Sequence, residues 1–296
     1  MSARHERGVA LILVLWACAL MAIVLGGFVA LTRSEGLQTR YQVAQARARY
    51  AAEAGLARAV AGLQDPDPAR RWRVDGQPYT FTFAGAKVTV KVTAEDGKID
   101  LNTATPQVLA RFLHGEGLST DKAHDLAAAI ADWRDSDNTV RPGGAEKAAY
   151  AQAGRAYGPR NGPFASIEEV QQVLGMTPSL YARIVPSLTI WSGRNIPNAA
   201  HAPAAVLAAL PGMTSDDASQ YVKERRHERS AQGLPGLPNG MPVTAGRMTG
   251  THSVVSTATL ANGTMAVLHA TIRRRGGMPD GAPYAVLQWR EGVAVE

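Results

Sequence analysis

The distribution of apolar residues along the chain is uneven, and its first feature is a block from Val9 to Leu31, VALILVLWACALMAIVLGGFVAL, that carries no charge. At 1.5 Å per helical residue it spans ~34 Å, enough to cross a hydrocarbon core of ~30 Å. Arg4, His5 and Arg7 precede it and Arg33 follows. This charge bias keeps a short leader on the cytoplasmic side and sends the rest of the chain outward. The block is longer than the ~7–15 apolar residues of a cleaved secretory signal. The helical pattern then continues through LQTRYQVAQARARYAAEAGLARAVAGL, Leu37 to Leu63. Leu37, Tyr41, Ala44, Ala48, Ala51 or Ala52, Gly55 and Ala59 recur at spacings of three and four, one narrow apolar stripe. Pro66 and Pro68 end it.

Beyond Pro68 the period changes to two. TFTFAG (Thr80 to Gly85) and KVTVKVTAE (Lys87 to Glu95) alternate β-branched or aromatic with polar residues and predict a hairpin. HSVVSTATL and TMAVLHATIRR flank Ala261-Asn262-Gly263, a second hairpin signal, and YAVLQWR, Tyr284 to Arg290, predicts a last strand. The segments between these two strand groups read as helical. Ile99 and Ile196 each open a stretch with Asn, Ala, Pro, Val-Leu, a Gly-containing turn and an Ala-rich helix, so the region holds a partial internal repeat. Ser166 and Glu169 have capping-box spacing at the start of another helix, and residues 231–250 are a Gly/Pro-rich loop.

Composition adds exclusions. With 46% hydrophobic and 19% charged residues the chain can build a core and is not disordered. A single cysteine, Cys18, excludes a disulfide framework and multi-cysteine metal sites, and it falls inside the apolar block. Seven histidines include no HExxH pair, and no G-x-S-x-G elbow exists, so an anchored hydrolase has no supporting constellation. The net charge of +6 admits an anionic partner. The helix–turn–helix stretch Val206 to Arg226 resembles helix-hairpin-helix motifs, with Lys223, Arg225, Arg226 and Arg229 available to phosphate. Asp216 and Asp217 stand where that phosphate would sit, which argues against nucleic acid.

The polar stretch DWRDSDNTVRPGGAEKAAY, Asp132 to Tyr150, gathers hard oxygen ligands on a turning backbone, as Ca²⁺ requires, without EF-hand spacing. Asp135, Asp137 and Glu146 lead that candidate set, with Asp132 and Asn138 beside them. A solvated loop with helix-capping aspartates explains the same residues and stays open as an alternative.

The Arg7-Gly8 junction before a charge-free helix resembles the class III leader of type IV pilins and type II secretion pseudopilins. That resemblance implies prepilin peptidase cleavage between Gly8 and Val9 and N-methylation of Val9. Most members of that group have Glu at mature position five; here it is Leu13. A leucine removes a charge that lipid penalises unless a neighbour pairs it. Within the group its absence, with the helical insertion and the Trp–acidic–Pro-Gly-Gly loop, is similar to the minor pseudopilin K family of the type II secretion system.

The implied fold is α+β: a pilin-like long N-terminal helix and antiparallel β-sheet with a large inserted helical domain, sterile-alpha-motif-like or helix-hairpin-helix-like. The expected division is 1–8 leader, 9–63 helix (9–31 transmembrane), 64–98 and 251–296 sheet parts, 99–230 inserted helical domain and 231–250 loop. The resemblance also implies a structural Ca²⁺ in the helical domain and a bacterial inner-membrane, single-pass location with the head in the periplasm. Its implied partners are the other minor pseudopilins, the major pseudopilin, prepilin peptidase, the inner-membrane secretion platform and the lipid bilayer. The expected work is to initiate or cap a periplasmic pseudopilus from its tip. A membrane-anchored helix-hairpin-helix DNA-binding protein of a competence-like uptake system is the competing reading.

Overall fold

The computed structural model describes residues 6–227, 234–240, 243, 250–275 and 284–292. Helix α1 runs unbroken over Glu6–Leu63. Within it Leu11–Phe28 is long and apolar enough to cross a membrane, and none of that window is buried by the rest of the chain. Past Gly36 the helix gains a buried side: Ala44, Ala48, Ala51, Ala52, Leu56, Ala59 and Val60 are covered. Tyr41, on the same stripe by spacing, is 63% exposed, because the helix contacts the sheet only beyond it.

The surface that covers α1 is a five-stranded antiparallel sheet in the order β1-β2-β5-β6-β7. β1 (Asp75–Phe83) and β2 (Ala86–Ala94) form the first hairpin, longer at its start than the alternation indicates. β5 (Thr251–Leu260) and β6 (Met265–Arg274) form the second, and β7 (Tyr284–Gly292) closes one edge. Val88, Val90 and Val92 of β2 are buried on one face, as the two-residue period requires. They join Val254, Ala258, Leu268, Ala270 and Ile272 against α1. Each fully buried branched side chain is worth ~1.5–3 kcal/mol.

The helix lies so close that a Cβ on Gly55 would fall 2.0 Å from Ser256 Oγ and 3.0 Å from a Val88 methyl. Alanines and this glycine therefore set the helix–sheet distance.

β2 and β5 are direct neighbours, Ala94 opposite His252, although the whole helical region lies between them in sequence. That region has its own core around Phe112, Leu113, Ile130, Trp133, Tyr150, Leu207, Leu210 and Tyr221. Its elements are β3 (Ile99–Asp100), α2 (Pro106–Gly115), α3 (Thr120–Arg134), α4 (Lys147–Gln152), α5 (Pro178–Ile184), β4 (Leu188–Thr189), α6 (Ala204–Leu207) and α7 (Ser215–His227). β3 and β4 pair in parallel and tie the start of the region to its middle. The segment beginning Ile167 is a 3₁₀ turn, not an α-helix, and the Ser166 side chain makes no cap hydrogen bond. Glu169 instead accepts from Ala165 N–H and Trp133 Nε1–H, so the capping-box spacing serves the core.

Gly55→Val should force the helix off the sheet and, as an overpacked core substitution, cost ~1–3 kcal/mol. Thermal unfolding of the detergent-solubilised chain checks this; an unchanged midpoint would show that the apposition is slack.

Candidate functional site

The internal repeat is real at the level of hydrogen bonds, with a register different from the one the shared Asn suggests. Asp100 opens the first unit: its Oδ1 accepts from Asn102 N–H at 2.8 Å, and its carbonyl accepts from Ala104 N–H. Asn198 opens the second: its Oδ1 accepts from Ala200 N–H at 3.1 Å, and its carbonyl accepts from Ala202 N–H. Asp100 and Asn198 are thus equivalent, and Asn102 is not the counterpart of Asn198. Two carbonyls in each turn are then captured by an arginine from the second helix of the unit. Arg134 donates to Leu101 and Ala104 oxygens, and Arg225 donates to those of Ala199 and Ala202. Arg225 is 4% exposed, and burial lowers the pKa of both guanidiniums.

These facts correct the candidate phosphate site. Arg225 is committed to backbone inside the domain, and the Arg226 carbonyl accepts from Arg73 across to the sheet part. Asp217 Oδ2 accepts from both Thr214 N–H and Thr214 Oγ1, and those bonds lower its pKa. A carboxylate therefore holds the start of α7 where phosphate would dock. Lys223 is exposed on α7. Arg229 lies outside the described residues.

The acidic loop after α3 is built from glycines upward. Gly143 has φ +76°, and a Cβ on Gly144 would sit 2.0 Å from Asp132 Oδ2. The loop can thus fold back over Asp132, which is fully buried. Its Oδ2 accepts from Ala145 N–H at 2.9 Å, and its Oδ1 from Arg141 at 2.6 Å. Arg141 also donates to Asp135, and the two carboxylates raise its pKa. Asp137 is exposed, with Oδ1 accepting from Thr139 N–H. Asn138 Oδ1 accepts from Asn161 Nδ2, which also bonds the Asp137 carbonyl.

The five sequence candidates therefore share one loop system in two groups. Asp132 and Asp135 are joined by Arg141, and Asp137 and Asn138 lie at the outer turn. Glu146 lies near both: its pKa is raised by burial first and then by the charges of Asp132, Asp135 and Asp137. Sequence reasoning missed Arg141 and Asn161, since a basic residue and a distant amide do not register in a search for acidic spacing. Among the described residues no three His, Cys, Asp or Glu side chains form a ready metal cage. Yet Asp135 Oδ1, both Glu146 oxygens and Asn161 Oδ1 are buried without a donor among those residues. Buried acceptors without donors are costly, and a hard cation removes that cost.

A second polar cluster joins the two parts of the chain. Glu95 and Asp96 follow β2 and are 1% exposed. Lys98 donates to Glu95 Oε1 at 2.6 Å, Ser253 Oγ donates to the same oxygen, and Thr189 donates to Oε2. Asp96 meets His201 Nδ1 at 2.7 Å and Asn198 Nδ2 at 2.9 Å. Burial opposes the Asp96 charge, but His201 and Asn198 outweigh it and lower its pKa. His252, 5% exposed beside this cluster, is pushed down to about 4, chiefly by burial and then by the His201 charge.

Of the leader and helix candidates, Gly8 and Val9 lie in the first turns of α1, and Leu13 is 65% exposed on the apolar stretch. Among the described residues no side chain covers Leu13.

Comparison with known proteins adds sequence and fold kinship. Residues 90–193 match the family model described as type II secretion system, protein K. The type II secretion system protein K of Pectobacterium carotovorum is 29% identical over 62% of each chain. That of Klebsiella pneumoniae is 26% identical, again over 62% of each. The chain thus spans 62% of the length of these curated relatives. The fold is similar to that in the crystal structure of the GspK–GspI–GspJ complex of enterotoxigenic Escherichia coli. The TM-score is 0.57 at 20% identity, over 89% of this chain and 99% of that one.

His252 should make the native state acid-sensitive. The unfolded imidazole takes a proton below ~6.5, whereas the folded one resists until about 4. Stability should fall as pH drops across that window, by up to ~1.4 kcal/mol per unit. Denaturant unfolding from pH 7 to 4 should show a flatter slope for His252→Gln; an identical slope would assign the sensitivity elsewhere.

Proposed function

On the kinship with protein K of the type II secretion system, we propose that this chain acts as a minor pseudopilin of such a system. The observation that carries the reading is the joining of two features in one chain. A 58-residue helix has a bare apolar stretch, Leu11–Phe28, and beyond Tyr41 it packs on a sheet whose strands β2 and β5 are separated by a helical region that overlaps the protein K family match. In this reading the Leu11–Phe28 stretch anchors the chain in the inner membrane and the head stands in the periplasm. Gly8-Val9 is the cleavage junction, with the new Val9 amine methylated. Leu13 leaves no carboxylate to pair with a subunit above, so the subunit sits at the pseudopilus tip and starts or caps assembly. The bulk of the helical domain supports the same position, since a tightly packed shaft has little room for it. The curated relatives are described as secretion-system proteins. The DNA-binding reading loses its support with Arg225 buried on backbone and Asp217 at the helix start.

Expression with the prepilin peptidase and pseudopilins of its own system tests the assignment. Mass spectrometry should find a methylated N-terminus at Val9, and the minor pseudopilins should copurify with the membrane-extracted chain. An uncut N-terminus with no copurifying pseudopilin would sink it.

The acidic loop is proposed to hold a structural Ca²⁺. Asp135 and Glu146 would supply buried carboxylate oxygens, with Asp137, Asn138 and Asn161 nearby and Asp132 behind them. The fit rests on the orphaned acceptors of Asp135, Glu146 and Asn161. Arg141 neutralises Asp132 and Asp135 in this structure, so it would have to turn outward as the ion enters. Chelation should lower the melting temperature of the full chain in detergent by several degrees. Asp135→Ala with Asp137→Ala should abolish the difference. Glu146→Gln discriminates further: it should stabilise the calcium-free chain by removing like-charge repulsion, yet weaken the calcium-loaded one. A melting curve indifferent to chelation would leave the loop to Arg141 alone.

A further inference from the structure

The sequence holds three Asn-Gly steps, Asn161-Gly162, Asn239-Gly240 and Asn262-Gly263. All three share an intrinsic chemistry. A glycine has no side chain to crowd its nitrogen, so that nitrogen can reach the Cγ of the preceding asparagine and displace ammonia. By local sequence the steps are equivalent; the fold makes them different.

Two of the three amides are held. Asn161 Nδ2 donates to the Asp137 carbonyl at 3.1 Å and to Asn138 Oδ1 at 2.9 Å. Asn239 Nδ2 donates to the Pro211 carbonyl at 2.7 Å. Both residues are half-buried. Losing ammonia from either breaks these bonds and sets a carboxylate oxygen against a carbonyl oxygen. Asn262 is exposed at the tip of the β5–β6 hairpin, and its Nδ2 has no hydrogen-bond partner among the described residues.

At the same residue Oδ1 accepts from Thr264 N–H at 3.1 Å. That donor faces the oxygen on which negative charge gathers when Cγ is attacked, as donors do in an oxyanion hole. Gly263 has φ +83° and open space where a Cβ would stand, so nothing crowds a ring closing there. One restraint opposes closure: Gly263 N–H donates to the Leu260 carbonyl at 2.9 Å. Gly240 N–H makes the same bond to Leu237, so this restraint does not separate the two steps. At an exposed hairpin tip such a bond opens without unfolding the sheet.

We propose that Asn262 is a self-modification site that converts through a succinimide to aspartate and isoaspartate, while the fold protects Asn161 and Asn239. The Gly263 nitrogen gives its proton to hydroxide and forms a bond to Asn262 Cγ. The Cγ–Nδ2 bond then breaks, and the amide nitrogen takes a proton from water and leaves as ammonia. Water opens the ring, so the conversion consumes water alone and changes no oxidation state. Opening at Cγ restores the normal backbone with a carboxylate added. Opening at the main-chain carbonyl routes the chain through the side chain and adds a methylene to the turn. That second product disturbs the rung that closes the hairpin, Leu260 N–H to the Thr264 carbonyl at 2.9 Å. Met265 and Ala266, just after the turn, line one groove with Gln45 and Ala46 of α1. The added charge therefore appears at the end of the sheet nearest the apolar stretch of that helix.

The test incubates the full chain in detergent, at mildly alkaline pH in heavy-oxygen water, and maps its peptides by mass spectrometry. The label separates conversion during the incubation from any that preceded it. In the folded chain the Asn262 peptide should gain heavy carboxyl at least about tenfold faster than those of Asn161 and Asn239, the factor that ~1.4 kcal/mol of retained hydrogen bonding supplies. Its product should resolve into two isomers by chromatography. In denaturant the three rates should converge, because the fold alone distinguishes the steps. Equal rates in the folded chain would overturn the proposal, as would faster conversion at Asn161 or Asn239. So would the same ordering in denaturant, which would assign the difference to local sequence. An Asn262 that converts only in denaturant would show the turn to be protective and would overturn it equally.

Discussion

The approach of α1 to the valine face of the sheet governs the rest of this molecule. A helix can come that near only where its contact side is made of Ala and Gly, and Gly55 against Ser256 and Val88 marks the tightest point. The fit uses one side of the helix over Ala44 to Val60 and leaves the other sides to solvent or to other chains. It also holds β2, β5 and β6 under one element, so that β2 and β5 remain neighbours despite the long excursion between them. Short-range hairpin signals cannot bring those two strands together, because their pairing depends on a shared cover.

The excursion is stabilised by a device used twice. An Asx-type turn presents two carbonyls, and an arginine from the second helix, Arg134 half-buried and Arg225 buried, takes both. Burying a guanidinium is costly unless its donors are satisfied, and each turn supplies acceptors in fixed positions. This explains why two units with little sequence in common adopt the same conformation: the equivalence lies in backbone acceptors, which many side chains can surround. It also removes one arginine from any role at the surface. Around the seam with the sheet, Glu95, Asp96, Lys98, His201 and Ser253 make a compact polar junction, with neutral His252 packed beside it.

The acidic loop obeys a different balance. Like charges repel wherever water is excluded, and the raised pKa of Glu146 expresses that repulsion after the cost of burial. Arg141 relieves one side of it for Asp132 and Asp135, while the oxygens of Glu146 find no donor among the described residues. That deficit is the ground on which the calcium proposal stands.

What could be read without coordinates was whatever depends on neighbours in sequence. The charge-free run, the period of three and four in α1, the period of two in the strands, and the Asn-Gly turn are local physics. They are enough to reach an α+β fold with a helical insertion. Arg7-Gly8, Leu13 and the acidic stretch are likewise short contiguous patterns. Tertiary structure alone decided what each polar residue faces. It placed Arg225 inside on carbonyls, set Arg141 between two aspartates, brought Asn161 to Asn138, and turned Glu169 from a cap into a partner of Trp133. It likewise paired Arg49 of α1 with Glu291 of β7. The physical reason is that burial and hydrogen-bond partners come from segments far apart in the chain, and a sequence pattern carries the period of a face but not what that face meets.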